Sequence, residues 1–274
     1  MSLRKKIRFA SITHPGMVRE HNEDFIGSDN DIGLMVLADG MGGYNAGEVA
    51  SELAVDIVSR MVREGVSREA RNDIDTGSGL MRQSIVLRDA ISRSNKIIYQ
   101  TAQSKTECEG MGTTLVALLF FDDKVSIAHV GDSRAYRLRN DKFEQLTLDH
   151  SLLQELVDRG FYSQEEAQRS TNRNYVTRAL GVEPTVDVEI QEESAEKGDI
   201  YLLCSDGLPD MVEDEDIHLT ISTFSASLDV VGQQLVQLSN DHGGRDNISI
   251  MLAQILGPYP AKKGLAKMIS GMFR

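Results

Sequence analysis

Gly33-Leu-Met-Val-Leu-Ala38 runs directly into Asp39-Gly-Met-Gly-Gly43, and this junction decides how the chain is read. The first six residues form a short apolar run of strand type, and the glycines behind Asp39 let the backbone turn or approach a ligand closely. Beyond them Val49, Ala50, Leu53, Ala54, Ile57, Val58 and Met61 recur at helical spacing. Strand, acidic glycine-rich turn and amphipathic helix therefore follow one another within thirty residues or so. Further apolar runs at 113–121, 124–130, 199–204 and 247–255 read as strands. A second helical stripe joins Leu80, Leu87, Ala90, Ile91, Ile97, Ile98 and Thr101, and a third joins Leu228, Val231, Leu235 and Leu238. Strands and helices do not alternate regularly, so the pattern predicts an antiparallel, layered α+β fold rather than a doubly wound sheet.

Residues 149–184 are polar and read as an insert with small helices, one of them opened by the capping box Ser163-Gln-Glu-Glu166. The end of the chain, 257–274, carries Lys262, Lys263, Lys267 and Arg274 and no acidic residue. Leu265, Met268, Ile269 and Met272 fall at the spacing of a short basic amphipathic helix, which makes membrane contact through this tail a secondary expectation beside a frayed terminus. The expected organisation is one domain over 1–256 and a basic tail over 257–274.

The formal net charge of −13 argues against nucleic-acid binding, which rests on lysine and arginine neutralising phosphates. No apolar run approaches a bilayer span, and no apolar stretch follows the basic N-terminus as a secretory signal requires. Cys108 and Cys204 are the only cysteines, too few for a disulfide framework, so a reducing cytoplasm is the expected location.

Five acidic residues stand in glycine-rich or strand-end contexts: Glu23, Asp39, Asp132, Asp206 and Asp246. A single Asp-Gly pair is commonly just a turn. Several at the mouths of buried strands, with no adjacent lysine, point instead to a shared cation. An all-oxygen set selects hard cations such as Mg2+ or Mn2+. Zinc is disfavoured because the six histidines show no close pairing along the chain. Bound cations also reconcile an acidic protein with a phosphorylated substrate. Arg19 is the candidate for gripping phosphoryl oxygens, and a surface salt bridge is its alternative.

The ordered set Arg19…Asn22-Glu23-Asp24, Asp39-Gly-Met-Gly-Gly43, Gly110-Met-Gly-Thr-Thr114, Gly131-Asp-Ser-Arg134, Ser205-Asp-Gly207 and Gly244-Arg-Asp-Asn247 resembles the bacterial PP2C (PPM) family of Ser/Thr phosphatases. The resemblance implies a four-layer α-β-β-α sandwich, with two antiparallel sheets flanked by helices and metals at one end. It implies that Asp39 bridges two Mg2+ or Mn2+ ions and that the Gly40 carbonyl binds one of them. Asp206 and Asp246 then hold the first ion, and Glu23 supports the second, largely through water. Asp132, with Asp206, matches a third, weaker site, and Arg19 the phosphate-binding arginine. The insert matches a flap that influences substrate choice. The implied activity is hydrolysis of phosphoserine and phosphothreonine in proteins by a metal-bridged water without a phosphoenzyme, opposed by a cognate Ser/Thr kinase. The alternative is a phosphatase-fold scaffold or regulator without catalysis, against which the retained acidic set argues.

Three positions depart from the family pattern. His14, in Thr13-His-Pro-Gly16, replaces a usual aspartate. Tyr44 stands where bacterial relatives often have histidine, and Met41 where animal members have a proposed general acid. No general acid is assigned. Asp29-Asn-Asp31-Ile-Gly33 resembles the start of a calcium loop but lacks the closing carboxylate, and so reads as a turn.

Overall fold

Alternation along the central strands sorts the side chains between two sides of each sheet. The computed structural model describes residues 3–43, 46–68, 73–163, 166 and 175–260, leaving Tyr44 and the stripe from Leu265 to Met272 outside the described residues. In chain order the strands are β1 (Ile7–His14), β2 (Asp24–Asp29), β3 (Leu34–Met41), β4 (Gly112–Thr113), β5 (Leu115–Phe121) and β6 (Lys124–Val130). They continue with β7 (Arg134–Arg139), β8 (Lys142–Gln145), β9 (Glu189–Ser194), β10 (Ile200–Cys204) and β11 (Ile248–Ile255). The helices are α1 (Ala46–Arg68), α2 (Arg82–Ser104), α3 (Leu152–Asp158), α4 (Asp214–Phe224) and α5 (Leu228–Asp241).

One sheet has the order β1-β11-β10-β7-β8 and the other β2-β3-β5-β6-β9, with β4 added beside β3. All pairings between these strands are antiparallel. Leu34, Val36 and Ala38 of β3 turn outward and pack with Ala50, Ala54 and Val58 of α1 and Leu87 and Ile91 of α2. Met35 and Leu37 turn inward and meet Tyr201, Leu203, Met251 and Ala253 from the other sheet. On that sheet's outer side, Leu202, Cys204, Ile250 and Leu252 are covered by Ile217 and Ile221 of α4 and by Val231 and Leu235 of α5. Three cores thus separate four layers, the expected α-β-β-α sandwich. Each fully buried aliphatic side chain contributes about 1.5–3 kcal/mol through removal of its surface from water.

The elements without a clear sequence signal lie mostly at edges. β9 reads Glu-Ile-Gln-Glu-Glu-Ser and closes its sheet as a half-exposed edge strand, so no apolar run marks it. In β7 and β8, arginines supply much of the inter-strand contact: Arg139 donates to Asp199 at 2.6 Å, and Arg137 pairs with Glu144 and Glu193. α4 opens with Asp214, Glu215 and Asp216, which suit the positive end of a helix dipole, and it buries only Ile217 and Ile221. In the insert, α3 is capped by Ser151, and the expected capping box is formed: Ser163 N–H donates to Glu166 Oε2 at 2.8 Å while Glu166 N–H donates to Ser163 Oγ at 3.2 Å.

At the opposite end of the strands from the Asp-Gly motifs, the β5–β6 turn holds the last described residues. Tyr259 donates its N–H to Asp123 Oδ1 at 2.5 Å and its hydroxyl to the Lys124 carbonyl at 2.9 Å. Its ring packs edge-on against Phe120 in the inter-sheet core. The folded body therefore runs past residue 256.

Gly207 lies where β10 leaves its sheet, and a Cβ there would stand 2.0 Å from the Asn247 carbonyl oxygen. Backbone cannot yield as a flexible side chain can. Gly207→Ala is therefore expected to lose at least about 2 kcal/mol of stability, read as a lowered midpoint in urea unfolding.

Candidate active site

The acidic residues converge because strand ends and strand parity place them together. Asp39 follows Met35 and Leu37 on the inward side of β3, so its carboxylate closes one end of the inter-sheet core. Its register partner across the β2–β3 pair is Asp24. From the facing sheet, Asp206 follows β10 and Asp246 precedes β11, while Asp132 follows β6. Glu23 stands before β2, against the first turn of α1, where its Oε1 lies 2.7 Å from the position a Cβ on Gly47 would take. Gly40 is confined in the same place: its Cβ would meet the Gly47 carbonyl oxygen at 2.2 Å and the Glu23 carbonyl oxygen at 2.6 Å.

Loop and strand are stitched together by side chains that bond to backbone. Asn247, buried beside Asp246, accepts the Glu23 N–H at 2.8 Å and donates to the Pro15 and His21 carbonyls at 3.0 and 2.9 Å. Met17 N–H donates to the Gly244 carbonyl at 2.7 Å. Gly16 adopts φ +80°, and a Cβ there would sit 2.2 Å from the Asp246 carbonyl oxygen, so glycine is required. His14 Nδ1 accepts the Gly16 N–H at 3.0 Å and so caps this turn, giving the departure at position 14 a local role. Arg19, carried by the same loop, donates through Nη2 to Asp246 Oδ2 at 2.7 Å. Its ion pair is thus with a member of the acidic cluster itself. Thr114 Oγ1 joins the Asp39 N–H, at 3.1 Å, to Ser133 Oγ, at 2.7 Å, and thereby ties two acidic strand ends together.

Asp24 and Asp210 are participants that the sequence reading did not single out. Asp24 is buried and accepts from Ser205 Oγ at 2.8 Å through Oδ2. A hairpin reading of 24–39 about the Asp29 turn would have placed it opposite Asp39. That turn is an Asx turn, with Asp29 Oδ1 accepting the Asp31 N–H at 3.0 Å, as the truncated calcium-loop pattern suggested. Asp210 acts on Asp206 and Asp132 through its charge, and only the turn after Asp206 brings it there. Asp132, Asp206 and Asp210 line a cleft of about 510 Å3, whose far wall is formed by α3 and neighbouring residues of the insert. Glu213, Asp214 and Glu215 extend its acidic lining.

Electrostatic repulsion marks the centre. Burial, then the charges of Asp24, Asp206, Asp132 and Asp246, push Asp39 well above the usual carboxylate range. Asp206 is raised in the same way by burial, then by Asp132, Asp210, Asp246 and Asp24. Burial first, with neighbouring carboxylates behind it, raises Asp24 and Asp132 to about 6 each. Glu23 is raised by burial and partly relieved by Arg19. Asp24 Oδ1 and Asp206 Oδ1 are buried without a hydrogen-bond partner among the described residues. Buried carboxylate oxygens without partners, in a cluster whose acidic members outnumber Arg19 and Arg134 beside it, fit hard divalent cations as the missing partners.

The two cysteines pack in the outer apolar cores and not in the acidic cluster. Cys108 and Cys204 are both buried and unpaired, and burial pushes the Cys204 thiol strongly upward. Met41 pairs with Gly112 at the end of β3 and offers no proton, so it cannot replace a general acid. No two histidines are paired closely along the chain, but His129 and His150 meet in space and stack with ring centroids 4.6 Å apart beside Glu189. Strand pairing between β6 and β9 and the return of the chain at residue 150 create this contact, which spacing along the chain does not reveal.

Two antiparallel sheets that gather carboxylates for divalent cations at one end define the class of metal-dependent phosphatases with the α-β-β-α sandwich. Residues 17–252 match the sequence model of protein phosphatase 2C, and the chain belongs to that family. The serine/threonine phosphatase stp of Listeria monocytogenes is 41% identical over 249 residues, covering 88% of this chain and 93% of that protein. The crystal structure of the serine/threonine phosphatase Stp1 from Staphylococcus aureus aligns with a TM-score of 0.80 at 37% identity, over 94% of this chain and 98% of that one. The catalytic domain of serine threonine protein phosphatase PstP, in complex with two manganese ions, aligns with a TM-score of 0.78 at 34% identity, over 92% of this chain and 99% of that one. The chain is a metal-dependent protein phosphatase, and phosphorylated proteins are its substrates.

The raised carboxyl values fix the sign of a test without cations. A folded-state value above the unfolded one means the folded protein holds protons that the unfolded chain releases, so stability is lost as pH rises above about 4. In chelator, Asp206→Asn is expected to be more stable than the unaltered protein by at least about 1 kcal/mol at pH 7. That advantage should vanish near pH 4, and Mn2+ should stabilise the unaltered protein alone. Urea unfolding at both pH values measures it.

Proposed function

We propose that the acidic residues divide the catalytic work as their positions suggest, in the hydrolysis of phosphoserine and phosphothreonine esters of proteins. Asp39, at the centre of the repulsion, bridges two divalent cations, and the Gly40 carbonyl adds a ligand beside it. Asp206 and Asp246 hold one cation from the facing sheet. Glu23 supports the other from the β2 side. Asp132, with Asp206, offers a weaker third position at the edge of the cleft. Two such cations acidify water and polarise the phosphoryl group.

Arg19 is set by its ion pair with Asp246, which occupies Nη2 and leaves the rest of the guanidinium to grip phosphoryl oxygens. Asn247 holds the Arg19 loop and the Glu23 backbone at fixed distance from Asp246, so substrate oxygens and ligands keep one geometry. Both cysteines are buried away from any nucleophilic role, which supports direct attack by water over a phosphoenzyme. The observation that carries the reading is the convergence of buried, unpaired carboxylate oxygens beside Arg19. A scaffold without catalysis would gain nothing from that costly repulsion.

The body over residues 1–256 with its continuation to Tyr259 acts as one phosphatase domain, with the insert about 150–184 as its flap and the basic tail outside it. A Ser/Thr kinase of opposing activity in the same compartment is the implied partner. The two free cysteines suit a cytoplasmic location, and no helix among the described residues is long and apolar enough to cross a membrane.

A panel of one peptide sequence carrying phosphoserine, phosphothreonine or phosphotyrosine, assayed with Mn2+, tests the assignment. Release of phosphate from the first two should dominate, and Asp39→Asn or Asp206→Ala should lower it at least about a hundredfold. Preference for phosphotyrosine, or unchanged rates in both variants, would overturn it.

A further inference from the structure

The flap departs and returns at one point. His150 N–H donates to the Gly131 carbonyl at 3.0 Å, and the His150 carbonyl accepts the Thr177 N–H at 2.8 Å. Leu152 N–H donates to the Tyr175 carbonyl at 2.9 Å, closing a short ladder between the two flap ends. The imidazole of His150 then anchors this ladder to the body. Its Nδ1 accepts the Gly131 N–H at 3.0 Å, and its Nε2 lies 3.2 Å from Glu189 Oε2 and 3.1 Å from Arg178 Nη1. His129 stacks on it with planes 16° apart and donates from Nε2 to the Leu148 carbonyl at 2.7 Å.

This pattern assigns the protonation. A backbone N–H can only donate, so Nδ1 of His150 carries a lone pair and the proton of the neutral ring sits on Nε2, which donates to Glu189. Arg178, itself only a donor, then stands beside Nε2 as a charge and not as a hydrogen-bond partner. The potential donor atoms of His129, His150 and Glu189 lie within 4.8 Å of one another, but they do not form a metal site. Imidazole lone pairs lie in the ring plane, and two nearly parallel stacked planes share no point where both could bind one ion. Arg178 also stands where a cation would have to enter.

A second proton on His150 has one place to go, Nδ1. There it would confront the Gly131 N–H, so two donors would face each other and the anchoring bond would be lost. The new positive charge would also lie beside Arg178 and against the face of His129. α3, the first element of the flap, forms one wall of the cleft that also contains Asp132 and Asp206. Loosening the root therefore moves a wall of the substrate cleft without touching the carboxylates themselves.

We propose that His150, stacked on His129, is a positioning residue that sets the flap against the cleft for protein substrates, and that it does so only while Nδ1 is unprotonated. The charged groups facing the pair are Glu189 at the start of β9, Arg178 at the flap's return and Asp149 before His150. Burial outweighs the carboxylates and holds both histidines below the ordinary value, with Arg178 adding to the effect. The sign follows: the latched state resists a proton that the released state accepts, so latching weakens as pH falls below about 6.5. The inference rests on the catalytic reading above, which hydrolysis of p-nitrophenyl phosphate checks separately.

The test compares the Mn2+-loaded protein with His150→Gln, which retains a neutral amide towards Glu189 and does not titrate. Phosphothreonine protein and p-nitrophenyl phosphate are assayed from about pH 7.5 to about pH 5. Both enzymes meet the same substrates, so substrate titration cancels in their ratio. For the protein substrate, kcat/KM of the unaltered enzyme relative to the variant should fall about threefold on acidification, while the ratio for the small substrate stays level. Parallel pH profiles on the protein substrate, or an equal change on both substrates, overturn the proposal. If His150→Gln does not fold, amide exchange in the unaltered protein decides. Protection of α3, corrected for intrinsic exchange and referred to α5, must fall on acidification, and constancy overturns the proposal.

Discussion

Mutual repulsion of carboxylates at one end of the inter-sheet core is the constraint on which the rest of the structure depends. Two sheets packed face to face would normally end in hydrophobic or solvated residues. Here they end in Asp24, Asp39 and Asp206, with Asp132 beside them, in a region where charge is poorly solvated, and with the partly exposed Asp246 at its rim. The three apolar cores hold that arrangement in place. Without cations the site subtracts from stability, and the subtraction becomes affinity when cations bind.

The same architecture explains why the loops around the site are rigid. Asn247 bonds to three backbone groups of the 15–23 loop, Gly16 fits only because it lacks a side chain, and His14 closes the turn between them. These contacts hold Arg19 and Glu23 against β11 although the two segments lie at opposite ends of the chain. The described part of the insert is built differently. It joins the body through a small polar node, and its wall of the cleft is lined by Ser151, Leu153, Gln154 and Val157. Firmly tied carboxylates and a wall joined through a small polar node suit a phosphatase that acts on phosphorylated proteins.

Much of this could be read from the sequence, for physical reasons. Strands buried on both sides, such as β3 and β5, announce themselves as apolar runs, and α1 and α2 as stripes. Glu23, Asp39, Asp132, Asp206 and Asp246 were legible because each sits beside a glycine or a strand end. Edge strands such as β9 were not, since their outward residues are polar and their pairing is supplied by a neighbour. Asp24 escaped because its importance lies in the residue opposite it across a hairpin. The His129–His150 stack escaped because it is a contact between a strand end and the root of an insert, and nothing in the spacing of two histidines encodes that. What the sequence shows well is repeated local pattern, and what it hides is which distant side chains share a desolvated space.

The anchoring of Tyr259 has a geometric consequence. Its backbone and hydroxyl fasten it to the β5–β6 turn, at the end of the strands remote from the acidic cluster. The chain therefore leaves the folded body at the end of the strands remote from the carboxylates, and a tyrosine far from the chemistry sets that point of departure.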